Sequence, residues 1–279
     1  LVTKGIMNSI CSKNEFEKVK AKFYNESFEK YWNYFIFPSI NWMPKGERVK
    51  EIIKNAGLRE ENVIFIDDSE LNIKEVKFYC PKIMTAYPEQ ILKIKSELYL
   101  VNDYDFELTR LKQYKIIEEK HTQKVRKNIS NEEFLKTSNI RISIRHDCIE
   151  NIDRINKLIS RTNQLNFTKN RECNLSEDLK NPNYESGYIT VQDNYGSYGI
   201  CGFYTLDKIN NKLVHFLFSC RILSMGIEQF VYSYLNFPEV EVVGEVAANL
   251  DKNIKPDWIS VVDNISINED TKRKQVSDI

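Results

Sequence analysis

The longest informative apolar run in the first part of the chain covers residues 63–66, Val-Ile-Phe-Ile, with no polar position between them. Such a run predicts a strand that is covered on both faces. Two carboxylates, Asp67 and Asp68, end the run, and a helical pattern follows over residues 71–76. Open α/β folds bind ligands at the carboxyl ends of parallel strands, so both acids are candidate site residues. The alternative is a turn in which one of the two side chains caps the next helix.

Two earlier segments place further chemistry at strand and helix ends. Residues 5–11 predict a short strand, and Ser12 follows at its carboxyl end. Pro44 and Gly57 enclose a helical pattern, as residues at the first turn and just past the last turn do. Lys45 therefore lies at a helix N-terminus, where the helix dipole does not need a cation. Lys45 is either a solvent-exposed side chain or directed at an anion.

The pattern changes near residue 138. A strand, a helix, a loop and a second helix are followed by three strands, a helix and a last strand over residues 240–246. Residues 198–204 and 213–218 predict the two strands of a hairpin, joined by the polar connection DKINNK at residues 207–212. A turn between the last hairpin strand and the next helix has backbone N–H groups at a helix N-terminus, which suits a pyrophosphate. Its residues are Arg221, Ile222, Leu223, Ser224, Met225 and Gly226.

Composition narrows the class of protein. The chain has 279 residues, 40 Lys plus Arg and 40 Asp plus Glu, so its charge gives no reason to expect nucleic acid or an anionic membrane as a partner. No apolar run has the length of a bilayer span. The six cysteines are scattered without CxxC pairs, which favours neither a zinc site nor a disulfide framework. These features predict a soluble protein of a reducing, cytoplasmic compartment.

The length suits two domains. The predicted division is a first domain over residues 1–100, a helical linker over 101–137, a second domain over 138–262 and a polar tail over 263–279.

The order of Ser12, Lys45 and Asp67 resembles a known family. A phosphate at the ends of parallel strands needs a hydroxyl, a cation and a carboxylate-bound divalent metal. The order is similar to that of the haloacid-dehalogenase (HAD) phosphohydrolases, and most similar to the FkbH-like branch, subfamily IIIC. That branch reads CSKN, INW-x-PK and F-[IV]-DD, and this chain has CSKN at residues 11–14, INWMPK at 40–45 and FIDD at 65–68. The resemblance implies an α/β, Rossmannoid parallel sheet, Ser12 and Lys45 as catalytic residues, and Mg²⁺ at Asp67 and Asp68.

One motif of that family is missing from residues 1–279. HAD enzymes attack phosphorus with the first Asp of a DxDx[TV] motif, carried on a first strand at the centre of the sheet. The resemblance places that strand between the strand ending at Ser12 and the strand ending at Asp67. Without it, two strand edges are open, and we expect the first domain to fold poorly or to aggregate. The alternative is that the two flanking strands close up and pair directly. The sequence is either truncated or a degenerate remnant.

The turn at residues 221–226 resembles the acyl-CoA loop of GNAT N-acyltransferases, R-x-x-G-x-[GA], with Ser224 in place of the first Gly. Residues 161–168, RTNQLNFT, and 218–221, FSCR, stand where FkbH-like proteins carry RTNQ-x-N and SCR. The resemblance implies a GNAT-like α+β second domain. It also implies acyl-CoA or phosphopantetheine at the turn, with Arg221 as an auxiliary cation. The closing Gly-Phe strand of GNAT domains is not found.

Two functions remain open. Some FkbH-like enzymes remove phosphate from a phosphorylated glycerate and pass the glyceryl unit to an acyl carrier protein, in polyketide-like or surface-glycan biosynthesis. In that case Cys11 is a candidate to hold the acyl group as a thioester, since a nearby Lys or metal would favour the thiolate. The alternative for Cys11 is a small packing residue. The alternative for the chain is a non-catalytic fragment or remnant that binds a carrier protein or acyl-CoA without turnover.

Overall fold

Helices alternate with strands along the chain, and both parallel and antiparallel strand pairs occur, so the mixed α/β class is confirmed. The computed structural model describes residues 1–25, 28–99, 104–127, 129–171 and 174–265. The chain divides into Leu1–Gln123 (unit 1) and Lys124–Ile279 (unit 2). Most of the predicted polar tail lies outside the described residues, as does Cys173.

Unit 1 consists of short strands connected by helices. Its strands are β1 (Cys11–Ser12), β2 (Ser39–Ile40), β3 (Ile64–Ile66) and β4 (Met84–Ala86). Its helices are α1 (Phe16–Asn25), α2 (Glu29–Trp32), α3 (Lys45–Asn55), α4 (Glu70–Tyr79) and α5 (Ile91–Tyr99), and α6 (Thr109–Lys127) begins in it.

The sequence signals at both ends of α3 are confirmed. Pro44 is the N-cap residue, so the helix begins at Lys45. Gly57 follows the C-cap residue Ala56 and has a φ of 63°, a left-handed conformation that favours glycine. The apolar face of α3 packs onto β3 and α4 in one core cluster, which includes Val49, Ile53, Phe65, Ile73 and Val76.

The strands of unit 1 form two separate parallel pairs. β1 pairs with β2 and β3 pairs with β4, and among the described residues no ladder joins β1 to β3. The amide of Asp67 donates to the carbonyl of Ala86 at 3.2 Å. Since successive residues of a strand direct their backbone groups to opposite sides, those of Ile64 and Ile66 point away from β4. The expected alternative, in which the flanking strands pair directly, is therefore wrong.

A cleft of about 750 Å³ lies between the two pairs. Ser9 and Cys11 line it from the side of β1, and Ile64 and Ile66 line it from the side of β3. Ile64 and Ile66 are 39% and 37% exposed, whereas Phe65 between them is buried. The prediction that this strand is covered on both faces is therefore wrong, because only the face of Phe65 is covered. The cleft has the position at which the family resemblance puts the first, central strand.

Helix α6 differs from the predicted linker. Leu111 and Tyr114 in its first half are buried, so this half belongs to the core of unit 1 rather than to a bridge. The division between the two units falls inside the helix, after Gln123. The buried neighbours of these two side chains are Val2, Ile36, Phe37 and Ala56.

Unit 2 is built on one mixed sheet. Its strands are β5 (Ile140–Arg145), β6 (Tyr184–Asp193), β7 (Gly196–Asp207), β8 (Lys212–Phe218) and β9 (Ile259–Val261), in the order β8-β7-β6-β5-β9. Its helices are α7 (Asn131–Thr137), α8 (Ile152–Arg161), α9 (Leu175–Asp178) and α10 (Ile227–Tyr234). The predicted hairpin is confirmed, since β7 and β8 pair in antiparallel fashion, whereas β9 lies parallel to β5. Within the described residues, no helix is long and apolar enough to cross a bilayer.

Residues 240–246 form no strand, so that prediction is wrong. Phe167 and Leu165 already bond to β8, through Phe167 N to Phe216 O at 2.9 Å and Phe218 N to Leu165 O at 2.8 Å. The valine-rich segment lies outside them and gains only isolated bonds, such as Val243 N to Phe167 O at 2.8 Å. The segment RTNQLNFT thus covers the free edge of β8.

Hydrogen exchange should distinguish the inner and outer strand edges of unit 1. The amides of Ile64 and Ile66 point toward the cleft, so we expect them to exchange about tenfold faster, or more, than those of Phe65 and Asp67. NMR-detected exchange on the full chain measures this difference. Ile142, in a strand paired on both sides, serves as the protected reference. Equal, strong protection at all four amides would show that the inner edge is paired.

Candidate functional site

Lys45 and Asp67 form a buried ion pair at the carboxyl end of β3. The distance from Lys45 Nζ to Asp67 Oδ2 is 2.6 Å, and the two side chains are 12% and 5% exposed. Lys45 is the first residue of α3, and Asp67 directly follows β3. The fold therefore brings together two residues that the sequence singled out separately. Lys45 is directed into the protein and is not a solvent-exposed side chain.

Two more donors hold the other oxygen of Asp67. Its Oδ1 accepts from the amide of Ser69 and from Asn72 Nδ2, both at 3.0 Å. Burial by itself raises the pKa of this carboxyl, but the hydrogen bonds from Lys45, Asn72 and Ser69 outweigh burial and hold the pKa below its ordinary value. Ser69 is the N-cap of α4, with its side chain accepting from the amide of Asn72. The alternative that an Asp of the pair caps this helix is therefore wrong.

Lys13 connects the end of β1 to the same place. Its Nζ donates to Asn72 Oδ1 at 3.2 Å and lies 3.7 Å from Glu75 Oε2. The other oxygen of Glu75 accepts from the amide of Gly46 at 2.8 Å. The segments after β1, at the start of α3 and after β3 thus meet at one edge. Ser12, directly before Lys13, is half-buried there.

Gly46 allows the close approach of α3 and α4. A Cβ at this position would overlap the ring of Tyr79 and would lie 3.0 Å from the carbonyl of Glu75. Lys13, Asn72 and Glu75 were not predicted as site residues. Asn72 and Glu75 lie on a helix, where polar surface residues are common, and Lys13 lies in the segment between β1 and α1. The three-residue spacing of Asn72 and Glu75, which puts both on one face of α4, is the signal that could have found them.

Arg48 was also missed, because an arginine in a helix rich in charges is typical of a solvated surface. It is only 5% exposed. Its Nε donates to Ser39 Oγ at 2.9 Å, and its Nη1 donates to the carbonyls of Asn41 and Met43, both at 3.0 Å. Its Nη2 donates to the carbonyl of Ser12 at 3.0 Å and to that of Ser39. One side chain therefore fixes the end of β1, the start of β2 and the segment leading into α3.

Cys11 lies near the charged residues but its thiol is not activated by them. Burial raises the pKa of this thiol, and the nearby charges of Arg48 and Lys45 offset that effect only in part. The expectation that a neighbouring lysine favours the thiolate therefore does not hold for the side chains present. Cys11 also packs beside the core cluster of α3 and α4. These contacts favour the packing role over the thioester role.

The carboxylates of this edge do not by themselves form a magnesium site. Asp68 is exposed, and both oxygens of Asp67 already accept hydrogen bonds. Mg²⁺ requires six oxygen ligands in octahedral geometry. In the part of the chain that the structure describes, no group of three or more His, Cys, Asp or Glu residues could hold a metal ion.

Arg221 in unit 2 is committed to backbone carbonyls. Its Nη1 donates to the carbonyl of Tyr198 at 2.6 Å, its Nη2 to that of Ile200 at 3.0 Å, and its Nε to Ser219 Oγ at 2.9 Å. The two carbonyls lie on β7 where its pairing with β6 shifts register. The expected role as an auxiliary cation for CoA is therefore not supported. Arg221 stabilises the irregular part of a strand.

In the turn after Arg221, most of the backbone amides donate to carbonyls of the same segment. The amides of Ile222, Leu223 and Met225 bond to carbonyls within residues 219–222, each at 3.1 Å. Ser224 and Gly226 both have left-handed φ angles, of 63° and 76°. Ser224 therefore adopts the conformation for which glycine is the usual residue.

The entry to α10 carries a buried acid. Glu228 lies in the first turn of the helix, and burial raises the pKa of its carboxyl to about 6. Above that pH a negative charge there opposes a bound pyrophosphate. The indole of Trp258 also covers the turn, donating to the carbonyl of Met225 at 3.0 Å. The contacts of residues 221–226 therefore do not favour the predicted acyl-CoA or phosphopantetheine site.

Replacement of Asp67 should test the buried ion pair. Because Asp67→Asn leaves Lys45 buried without its counterion, we expect it to lower the free energy of unfolding of unit 1 by about 3 kcal/mol at neutral pH. The pKa of Asp67 is lower in the folded than in the unfolded protein. Its stabilisation is therefore complete above the ordinary aspartate range and is lost as the pH falls through the folded value.

Urea unfolding followed by the NMR signals of unit 1, at neutral pH and at about pH 3, measures the difference. The matched control is Asp68→Asn, the exposed neighbour, for which we expect no change. An equal loss for Asp67→Asn at both pH values would contradict the assignment of the loss to the ionised pair.

The comparisons with known proteins give no further assignment of this site. Neither protein families, nor curated proteins, nor solved structures yield a match to this chain. The resemblance to FkbH-like proteins therefore depends on short motifs. The geometry around Lys45 and Asp67 is a separate observation from the structure.

Proposed function

We propose that unit 1 binds a phosphoryl group and that the chain takes part in FkbH-like phosphatase and acyl-transfer chemistry. The substrate class is a small phosphorylated acyl precursor, such as a phosphorylated glycerate, and the acceptor is an acyl carrier protein of polyketide-like or surface-glycan biosynthesis. The observation that carries the proposal is the buried contact of Lys45 and Asp67 at 2.6 Å, with Lys13 joined to it through Asn72.

The side chains at this edge suit a dianion. Lys45 and Lys13 supply two positive charges, and the hydroxyl of Ser12 can donate to a phosphoryl oxygen. Asp67 keeps the ammonium group of Lys45 at the edge of the sheet and out of water. An incoming phosphate competes with Asp67 for Lys45. The strength of the ion pair therefore limits the affinity of the site for phosphate.

The attack on phosphorus requires a nucleophile that these side chains do not supply. In the family, it is the first Asp of a DxDx[TV] strand, and residues 1–279 contain no such strand. Neighbouring parallel strands end at the same edge of a sheet, so a strand in the cleft between β1 and β3 would end beside Lys45 and Asp67. The position of the cleft supports the proposal that the attacking carboxylate belongs to such a strand.

Phosphate binding tests the proposal directly. We expect inorganic phosphate to bind the full chain, and Lys45→Met to weaken that binding about tenfold or more, because a buried charge-assisted contact is lost. Titration calorimetry with and without Mg²⁺ measures the affinity. Lys50→Met, which removes an exposed charge from the same helix, is the matched control. Equal affinities for Lys45→Met and the unmodified chain would contradict the proposed site.

A second function is favoured by the state of the nucleophiles. The pKa of Cys11 is raised, and the carboxylate of Asp67 is engaged in the ion pair with Lys45, so neither group is activated for attack. Residues 1–279 would then bind a phosphorylated or carrier-linked acyl group without turnover.

Strand addition distinguishes the two functions. We expect residues 1–279 alone to leave an aryl phosphate unhydrolysed, and the same chain with an apolar DxDx[TV] strand joined at its amino end to hydrolyse it. The matched control carries Asn in place of the first Asp of that strand and should be inactive, since the nucleophile is lost. Equal inactivity of both extended proteins, folded and binding phosphate, would favour the non-catalytic function.

A further inference from the structure

The guanidinium group of Arg48 uses all of its hydrogen-bond donors. An arginine has five N–H groups, and the five hydrogen bonds of Arg48 occupy every one of them. Each acceptor is a backbone carbonyl or a serine hydroxyl. The side chain therefore has no donor left for a ligand and cannot contact a bound anion itself.

The charge of Arg48 is not matched by an acid. No carboxylate pairs with this side chain among the described residues, although it is 5% exposed. A buried charge is costly unless other groups compensate it, and neutral carbonyls do so only through their dipoles. Arg48 thus carries a positive charge without a counterion, and this charge lies close to Lys45 and Lys13. A bound anion stabilises such a group of positive charges.

The field of Arg48 reaches the edge where the site lies. Its charge, followed by that of Lys45, lowers the pKa of Cys11 against the larger effect of burial. Cys11 directly precedes Ser12, and the carbonyl of Ser12 is itself an acceptor for Arg48 at 3.0 Å. The hydrogen bonds of Arg48 and its charge thus both act at the end of β1.

We propose that Arg48 is the positioning residue of the anion site, an inference that rests on the proposed phosphate binding. Its hydrogen bonds fix Ser12 at the end of β1 and the segment from Asn41 to Met43 that leads into Lys45. Its uncompensated charge attracts the anion that these residues contact. The two effects act together, since the same guanidinium holds both segments and carries the charge.

Two substitutions separate charge from hydrogen bonding. Arg48→Gln removes the charge and most of the bonds, and we expect it to weaken the binding of inorganic phosphate to the full chain about tenfold or more. Arg48→Lys keeps the charge and should restore part of that affinity. The salt dependence of binding should also be smaller for Arg48→Gln than for Arg48→Lys, since one fewer charge faces the anion. NMR spectra establish that each variant is folded under the conditions of the titration.

A purely structural role gives a different result. Both variants would then lose thermal stability while their folded forms bind phosphate as tightly as the unmodified chain, and this outcome would overturn the inference. Lys50→Gln on the exposed side of α3 is the matched control and should change neither affinity nor salt dependence. Failure of the unmodified chain to bind phosphate would reject the proposed function and this inference together. Binding that depends on Lys45 but not on Arg48 would reject the inference alone.

Discussion

The buried ion pair of Lys45 and Asp67 is the interaction on which the arrangement of unit 1 depends. Two charges lose their hydration on burial, and their attraction repays this only with good geometry and additional hydrogen bonds. Ser69 and Asn72 supply those bonds, and Asn72 also accepts a hydrogen bond from Lys13. The start of α3, the end of β3 and the face of α4 therefore cannot shift independently of one another.

Local signals in the sequence predicted the parts of this site but not the contacts between them. Pro44, Gly57 and the acidic pair act within a few residues of their own position, so each could be interpreted without the fold. Arg48 acquires its role from the distant backbone carbonyl of Ser12, and Asn72 from the distant side chain of Lys13, and no local pattern encodes either contact. An apolar run likewise indicates that a strand can be covered, not which neighbour covers it, and for this reason the prediction for β3 was wrong on one face.

Arg48 and Arg221 show the same chemistry in the two units. Arg48 lies near the start of α3 and Arg221 shortly after β8, and each donates to backbone carbonyls near the end or an irregularity of a strand. The R-x-x-G-x-[GA] motif implies that Arg221 contacts a ligand, whereas the fold uses the planar group to hold irregular backbone in place. In unit 2, the turn of residues 221–226 makes hydrogen bonds within itself and accepts one from Trp258. The resemblance to a CoA loop therefore does not extend to the contacts of this turn.

The separation of the strands of unit 1 into two pairs also bears on how this unit opens. Each pair joins segments that are near in sequence, so each half closes with little loss of loop entropy. In the described residues the halves are held together by side chains of α3 and α4 and by the polar contacts at the strand ends, without a ladder between them. Separation of the halves would break no ladder between described strands, so we expect it to cost less free energy than global unfolding.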